Sequence, residues 1–266
     1  MVPNKGVIFK SVPNGWPVPG KDLAVETRII DLGAYLPANT ILTKNFYFSF
    51  DPAQRGRMRP SDPKFYSSSY VLGQPITNVC VARVLKSTVS GFGTGDMIVG
   101  RIGFEEYSVI TDPVEKHEVV HLKNPYNLPL TQVLGALGGP GITAYGSLYE
   151  IGKPKKGETM FVSAASGAVG QIVGQLGKIE GMRVFGSAGS DEKVDYIVRE
   201  LGFDGGFNYK KEDIPATLKK LMPEGIDIYY DNVGGKMLDE VILQMNNFGR
   251  IGLFPLSLLC MRSLGS

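Results

Sequence analysis

The chain has 266 residues, 43% of them hydrophobic and 20% charged, and a formal net charge of +2. This is the composition of a folded globular protein with room for two domains, and it excludes disordered, collagen-like and strongly basic nucleic-acid-binding chains. No run of about 18 apolar residues is present to span a membrane, the N-terminus has no apolar signal region, and Cys80 and Cys260 are too few for a disulfide framework, so a reducing, cytoplasmic setting is expected.

Residues 1–125 are rich in Pro and Gly and carry short β-like runs at Gly6–Phe9, Phe46–Phe50, Val79–Val84 and Met97–Val99. Such runs separated by turns predict a compact all-β module. The basic cluster Arg55-Gly56-Arg57-Met58-Arg59 reads as a solvated loop. His117-Glu118-Val119-Val120-His121 matches the His-Glu-x-x-His pattern of metalloproteases, and its spacing would place both histidines on one helix face. It lies between Asp112-Pro113 and Pro125, too short an amphipathic run for that helix. A catalytic zinc needs about three converging ligands, so no metal site is expected.

From about Leu128 strands and helices alternate, the pattern of βαβ units around a parallel sheet. Strands are predicted at 159–163, 183–187, 206–208, 226–231 and 248–253, with helices at 168–180, 191–201, 213–221 and 236–246. Between the first strand and the first helix lies Ala165-x-Gly167-x-x-Gly170, a dinucleotide fingerprint with Ala in place of the first glycine. Gly167 would let the backbone approach a pyrophosphate at the helix N-terminus, and Gly170 would let the helix lie close to the sheet. The helix then shows an apolar face of Val169, Ile172, Val173, Leu176 and Ile179.

An NAD site usually ends its second strand with an acid that holds the ribose 2′-hydroxyl. Here Arg183-Val184-Phe185-Gly186 runs into Ser187-Ala188-Gly189-Ser190, and Asp191 and Glu192 come only in the next helix's first turn. Lys193 beside them would meet a 2′-phosphate as a point charge, or is an ordinary solvated helix lysine. The missing acid points to NADP. The tail from Leu253 to Cys260 is apolar and too short for a helix and a sixth strand, so it reads as an interrupted ending.

The runs Gly139-Pro140-Gly141-Ile142-Thr143-Ala144-Tyr145, Ala164-Ala165-Ser166-Gly167-Ala168-Val169-Gly170, Gly189-Ser190-Asp191-Glu192-Lys193, Phe207-Asn208-Tyr209-Lys210 and Asp231-Asn232-Val233-Gly234-Gly235 together resemble one family. It is the zinc-independent medium-chain dehydrogenase/reductase group of prostaglandin and leukotriene B4 reductases and alkenal double-bond reductases. Asp51-Pro52, Arg55-Gly56-Arg57-Met58 and Gly103-Phe104-Glu105-Glu106-Tyr107 agree, and the likeness runs to about residue 253.

The resemblance implies a GroES-like β domain over 1–125 and a Rossmann domain of doubly wound parallel sheet over 126–266, incomplete at its end, with the active site in the cleft between them. It implies NADPH as hydride donor. Lys193 and Tyr209 would contact its 2′-phosphate, with Gly189 beside them. Ser166, Gly167, Ala168, Val169 and Gly170 would cradle the pyrophosphate. Asn232 and Val233 would line the nicotinamide end, and Thr143 would lie near the ring.

The reaction implied is hydride addition to the β-carbon of an α,β-unsaturated aldehyde or ketone, with donors needed at the carbonyl oxygen and a proton at the α-carbon. The family's candidate tyrosine beyond the fifth strand is replaced by Phe254-Pro255-Leu256-Ser257, and Ala53-Gln54 stand where its Asp-Pro-Tyr element has an aromatic. Tyr47 and Tyr145 are left as candidate hydroxyls. Two other readings stay open: a quinone or enoyl reductase on the same scaffold, and a shortened NADPH-binding protein with little turnover. The missing end would also remove an edge strand, which weighs against the family's homodimer.

Overall fold

The structure, a computed structural model, describes residues 1–62, 64–65 and 67–253. The apolar tail singled out from Phe254 onward lies outside the described residues. Two compact units form: one spans Met1–Leu134 and the other begins at Gly135.

In the N-terminal unit β1 (Val2–Phe9) pairs antiparallel with β2 (Leu23–Ile30). Then follow β3 (Thr40–Phe48), α1 (Ala53–Arg57), β4 (Thr77–Ser87), β5 (Met97–Gly103), β6 (Tyr107–Thr111), α2 (Pro113–His117) and the short β7 (Val120–His121). The second sheet is antiparallel throughout, in the order β6-β3-β4-β5-β7. Its inward positions, among them Ile41, Cys80, Ala82, Val84, Ile98, Ile102 and Ile110, form one core. All four β-like runs overlap strands. β2 was not legible because its apolar residues do not mark a buried face: Val25 and Ile29 are both exposed.

One sequence expectation needs correction here. The arginine cluster is not a solvated loop. Arg55 Nη2 donates to the Gly15 carbonyl at 2.7 Å, and Arg57 donates to the carbonyls of Ser68 and Thr77 at 3.0 and 2.8 Å. The Arg57 guanidinium also lies 4.3 Å from the Tyr70 ring centre, and Arg59 lies 3.9 Å from that of Phe65. These cations tie loops to the β module through carbonyls and ring faces. The two histidines do not share a helix face. α2 stops at Glu118, whose φ is +53°, and His121 belongs to β7. His117 Nδ1 is 3.0 Å from the Arg101 carbonyl, whereas His121 Nε2 is 2.8 Å from that of Gly91.

The second unit opens with α3 (Gly139–Ser147), which widens into a π-helical stretch over Leu148–Gly152. It continues with β8 (Thr159–Val162), α4 (Ala168–Ile179), β9 (Arg183–Ala188), α5 (Asp191–Asp195), β10 (Gly205–Asn208), α6 (Ile214–Leu221), β11 (Ile226–Asp231), α7 (Gly235–Ile242) and β12 (Met245–Leu253). The helix expected over 191–201 is divided, because Tyr196–Glu200 is π-helical. The helix expected to reach 246 stops at Ile242, so the last strand starts at Met245.

The five strands run parallel in the order β10-β9-β8-β11-β12. The chain thus builds outward from β8 on one side, then returns to add β11 on the other, which makes β8/β11 the switch point. Alternate residues of each strand enter different cores. Met160, Val162, Ile228 and Tyr230 pack with α3 and α4 through Ala144, Leu148 and Val173. Phe161 and Tyr229 pack with α6 and α7 through Leu218 and Val241. Helices therefore cover both faces of the sheet.

The contact face of α4 keeps the expected stripe in Val173, which is buried, and in Val169, Ile172 and Leu176, which pack against the same core, but loses Ile179. Its buried residues are Gly170, Val173, Gly174 and Gly177, while Ile179 is 76% exposed. A Cβ on Gly174 would overlap the Phe203 ring, and one on Gly177 would overlap the Met160 side chain. The glycines let neighbouring side chains approach the helix closely, and Val169, Ile172, Val173 and Leu176 supply the rest of this face.

Candidate functional site

The sequence-predicted cofactor residues of the second unit gather at the C-terminal ends of its parallel strands, the side on which such sheets take ligands. β8 ends in a sharp turn in which Ala164 takes φ +48° and Gly167 caps α4 from an extended conformation. No side chain caps α4, so the N–H groups of its first turn are left as donors for an anion. An ideal Cβ at Gly170 would stand 2.5 Å from the Ala164 carbonyl oxygen and 2.9 Å from Ala165 Cα. Only glycine lets the helix begin this close to the turn. The cradle formed by Ser166, Gly167, Ala168, Val169 and Gly170 fits the pyrophosphate of a dinucleotide.

Across the switch point, β11 ends in Asp231, which is 0% exposed. Its Oδ1 accepts four hydrogen bonds: from Tyr229 OH at 2.8 Å, Ser163 Oγ at 3.1 Å, Val233 N at 2.9 Å and Gly234 N at 2.7 Å. Asn232 N donates to Ser163 Oγ at 2.9 Å, and Asn232 Nδ2 donates to the Ser163 carbonyl at 2.8 Å. One buried carboxylate thus joins the β8 turn to the loop carrying Asn232 and Val233. Burial pushes the Tyr229 phenol well above its usual range, so it is a donor here. Sequence reasoning quoted Asp231 within its motif but missed this role, as it did for Ser163 and Tyr229. The available signal was an acid at the last position of the strand, directly before the Asn-Val-Gly-Gly turn.

The ends of β9 and β10 form a cationic corner. An ideal Cβ at Gly189 would lie 3.2 Å from Tyr209 OH and 3.4 Å from Lys210 Cε. Lys193 lies in the first turn of α5, where Ser190 Oγ accepts its backbone N–H at 3.4 Å. Asp191, the nearest carboxylate in sequence, is engaged elsewhere: Asn208 Nδ2 donates to its Oδ1 at 2.6 Å and Lys211 pairs with its Oδ2. Those two donors hold its carboxyl below the ordinary range. Lys210 was not singled out from sequence, because nothing in a surface lysine run tells which one turns toward the preceding strand.

Thr143 lies half-buried on α3, and its carbonyl accepts from Ser147 Oγ at 2.5 Å. Ser147 Oγ is in turn 2.6 Å from Tyr230 OH, so this helix is tied to β11. Of the two candidate hydroxyls, Tyr145 is 61% exposed on α3, its ring centre 4.6 Å from that of Tyr149. Tyr47 is 44% exposed on β3 and, with Phe46, Arg83, Met97 and Leu128, lines a cavity of about 660 Å³ within the N-terminal unit. Tyr47 and Tyr145 therefore belong to different units.

Comparison with known proteins identifies the family. Residues 5–119 match the family described as the N-terminal domain of oxidoreductase, and residues 168–258 match the family described as zinc-binding dehydrogenase. The zinc in that description has no matching donor set: among the described residues no group of three or more His, Cys, Asp or Glu side chains converges. The NADP-dependent oxidoreductase RED1 of Cochliobolus heterostrophus is 51% identical over 251 residues, 94% of this chain and 71% of that protein. The NADP(+)-dependent 2-alkenal reductase of Nicotiana tabacum is 48% identical over the same shares of the two chains. Among solved structures, CurA from Vibrio vulnificus in complex with NADPH superposes with a TM-score of 0.80 at 35% identity, covering 93% of this chain and 70% of that one. On these likenesses, and on a parallel sheet with its glycine turn at the switch point, the chain belongs to the zinc-independent alkenal reductase group of the medium-chain dehydrogenase/reductase family.

Proposed function

We propose that the chain binds NADPH along the C-terminal ends of β8–β11 and reduces the C=C bond of α,β-unsaturated aldehydes or ketones. The observation that carries this reading is the pairing of the glycine-built β8–α4 turn with a cationic corner where an NAD site would present a free acid. The 2-alkenal reductase likeness supplies the substrate class. Ser166 to Gly170 bind the pyrophosphate, Lys193 and Tyr209 beside Gly189 bind the 2′-phosphate, and Asn232, Val233 and Thr143 orient the nicotinamide end. Residues 1–125 form the oxidoreductase module and residues 126–266 the cofactor module.

When bound, NADPH supplies the hydride that reaches the β-carbon of the substrate. Charge then grows on the carbonyl oxygen, which demands a placed donor, and the α-carbon must receive a proton. Tyr47 and Tyr145 are the hydroxyls put forward for these tasks, and Phe substitution at each separates them. The reading places the protein in the cytoplasm, where the free, buried Cys80 thiol stays reduced. Small unsaturated carbonyl compounds are its partners, with neither nucleic acid nor membrane required. A homodimer is no part of the reading.

The test is consumption of NADPH, with NADH as control, against an enal, an enone and a quinone. Enal or enone turnover that prefers NADPH is expected. Turnover of the quinone alone would replace this reading with quinone reduction, and cofactor binding without consumption would reduce it to a nucleotide-binding role.

A further inference from the structure

The Asn208 side chain joins the two halves of the cationic corner. It closes β10, is only 4% exposed, and uses its polar atoms in two directions. Its Nδ2 donates to Asp191 Oδ1 at 2.6 Å, while its Oδ1 accepts the Lys210 backbone N–H at 3.1 Å. Its own backbone N–H donates to Glu212 Oε1 at 2.9 Å, and its carbonyl accepts the N–H groups of Lys211 and Glu212, both at 3.0 Å. One amide therefore folds the 208–212 turn that brings Tyr209 and Lys210 against Gly189, and it also holds Asp191. Lys211 completes the arrangement by pairing with the other Asp191 oxygen.

The two nucleotide classes make opposite demands on this corner. An unphosphorylated ribose asks for a carboxylate that accepts from its 2′-hydroxyl, whereas a 2′-phosphate asks for cations and is repelled by a free acid. Resting on the NADPH reading above, we propose that Asn208, Asp191 and Lys211 form a selectivity latch: the acid is held and neutralised while Tyr209 and Lys210 are presented to the 2′-phosphate. These three are positioning residues, since none has to touch the nucleotide.

The latch is tested by calorimetric dissociation constants of the full chain for NADPH, NADH, adenosine 2′,5′-bisphosphate and 5′-AMP, which require no turnover. Lys211→Met, at an exposed position that cannot endanger folding, leaves Asp191 with an uncompensated charge. It is expected to lower the preference for the 2′-phosphorylated member of each pair about tenfold, the scale of one charge-assisted hydrogen bond. Asn208→Ala is expected to lower that preference further while changing 5′-AMP binding little, a split that mere loss of structure would not produce. Asp191→Asn combined with Lys211→Met removes the acid together with its partner and is expected to restore the preference. An unchanged ratio in Lys211→Met and Asn208→Ala overturns the latch. So does a double variant that fails to recover, because Lys211 would then bind the phosphate itself. A wild-type chain that binds none of the four nucleotides defeats the NADPH reading, and the latch with it; one that binds them without preference defeats the latch alone.

Discussion

The ends of β8 and β11 stand side by side in one sheet and reach their shapes by opposite means. The β8–α4 turn is defined by what is missing: with no Cβ at Gly170, helix and turn approach until backbone meets backbone, and Gly174 and Gly177 make room for the Phe203 and Met160 side chains. The β11 loop is defined by what is added, a fully buried carboxylate whose Oδ1 collects four donors and fixes the direction of residues 232–234. Steric emptiness gives a surface that an anion can approach. A buried hydrogen-bonded hub gives a loop that holds its position on the other side of the switch point. The two devices fail differently, and substitutions can separate them.

The largest effect is expected at the hub. Asp231→Ala strands four donors in a dry environment, and about 4 kcal/mol of stability should be lost, since each unsatisfied buried donor costs about 1–3 kcal/mol. A urea titration reads this directly. At the turn, Gly170→Ala should reverse the usual sign: alanine normally gains about 1 kcal/mol in a helix interior, yet here backbone must move, and a net loss of about 2 kcal/mol is expected. Its diagnostic feature is weakened NADPH affinity in the fraction that remains folded. A Gly170→Ala chain that keeps both stability and affinity would remove the steric half of the comparison.

Smaller changes sharpen it. Tyr229→Phe removes one donor from the Asp231 hub, with an expected loss of about 1 kcal/mol. That loss should depend on pH in a set direction. Burial raises the Tyr229 phenol above its ordinary value of 10.0. A raised pKa contributes stability that is complete below the unfolded value and lost as pH rises through the folded one. The gap between wild type and Tyr229→Phe should therefore hold at neutral pH and narrow once pH passes 10.0. The smallest effect belongs to Ile179→Lys, expected within about 0.5 kcal/mol, because Ile179 is exposed at the end of α4. A loss of several times that size would show that Ile179 packs after all.

How much of this was legible follows from which forces are local. The parallel strands are short apolar runs with turn residues at both ends, so 159–162, 183–188 and 226–231 could be read within a residue or two. The fingerprint was readable because its glycines stand at fixed spacing. The arginine cluster misled because a cation satisfied by distant carbonyls and ring faces carries no mark of it in its own neighbours. Ile179 misled because periodicity extends the stripe of Val169, Ile172, Val173 and Leu176, which does pack on the core, to the last residue of the helix, where the side chain is exposed. Asp191 could be placed in a helix's first turn from sequence, but its partners Asn208 and Lys211 lie 17 and 20 residues away.

By itself the sequence determined the alternation of strands and helices, the glycine turn, the absence of an acid at the end of the second strand, and the family these motifs resemble. All of these rest on spacing along the chain, which residue size and backbone freedom impose locally. Only the tertiary structure decided that Asp231 would be the shared acceptor of the β8 and β11 ends. It also decided that Asn208 would hold Asp191 and present Lys210, and that Gly170, Gly174 and Gly177 would share the buried face of α4 with Val173. Each depends on groups brought together by sheet order, and strand pairing is a long-range outcome that no local stretch of sequence encodes.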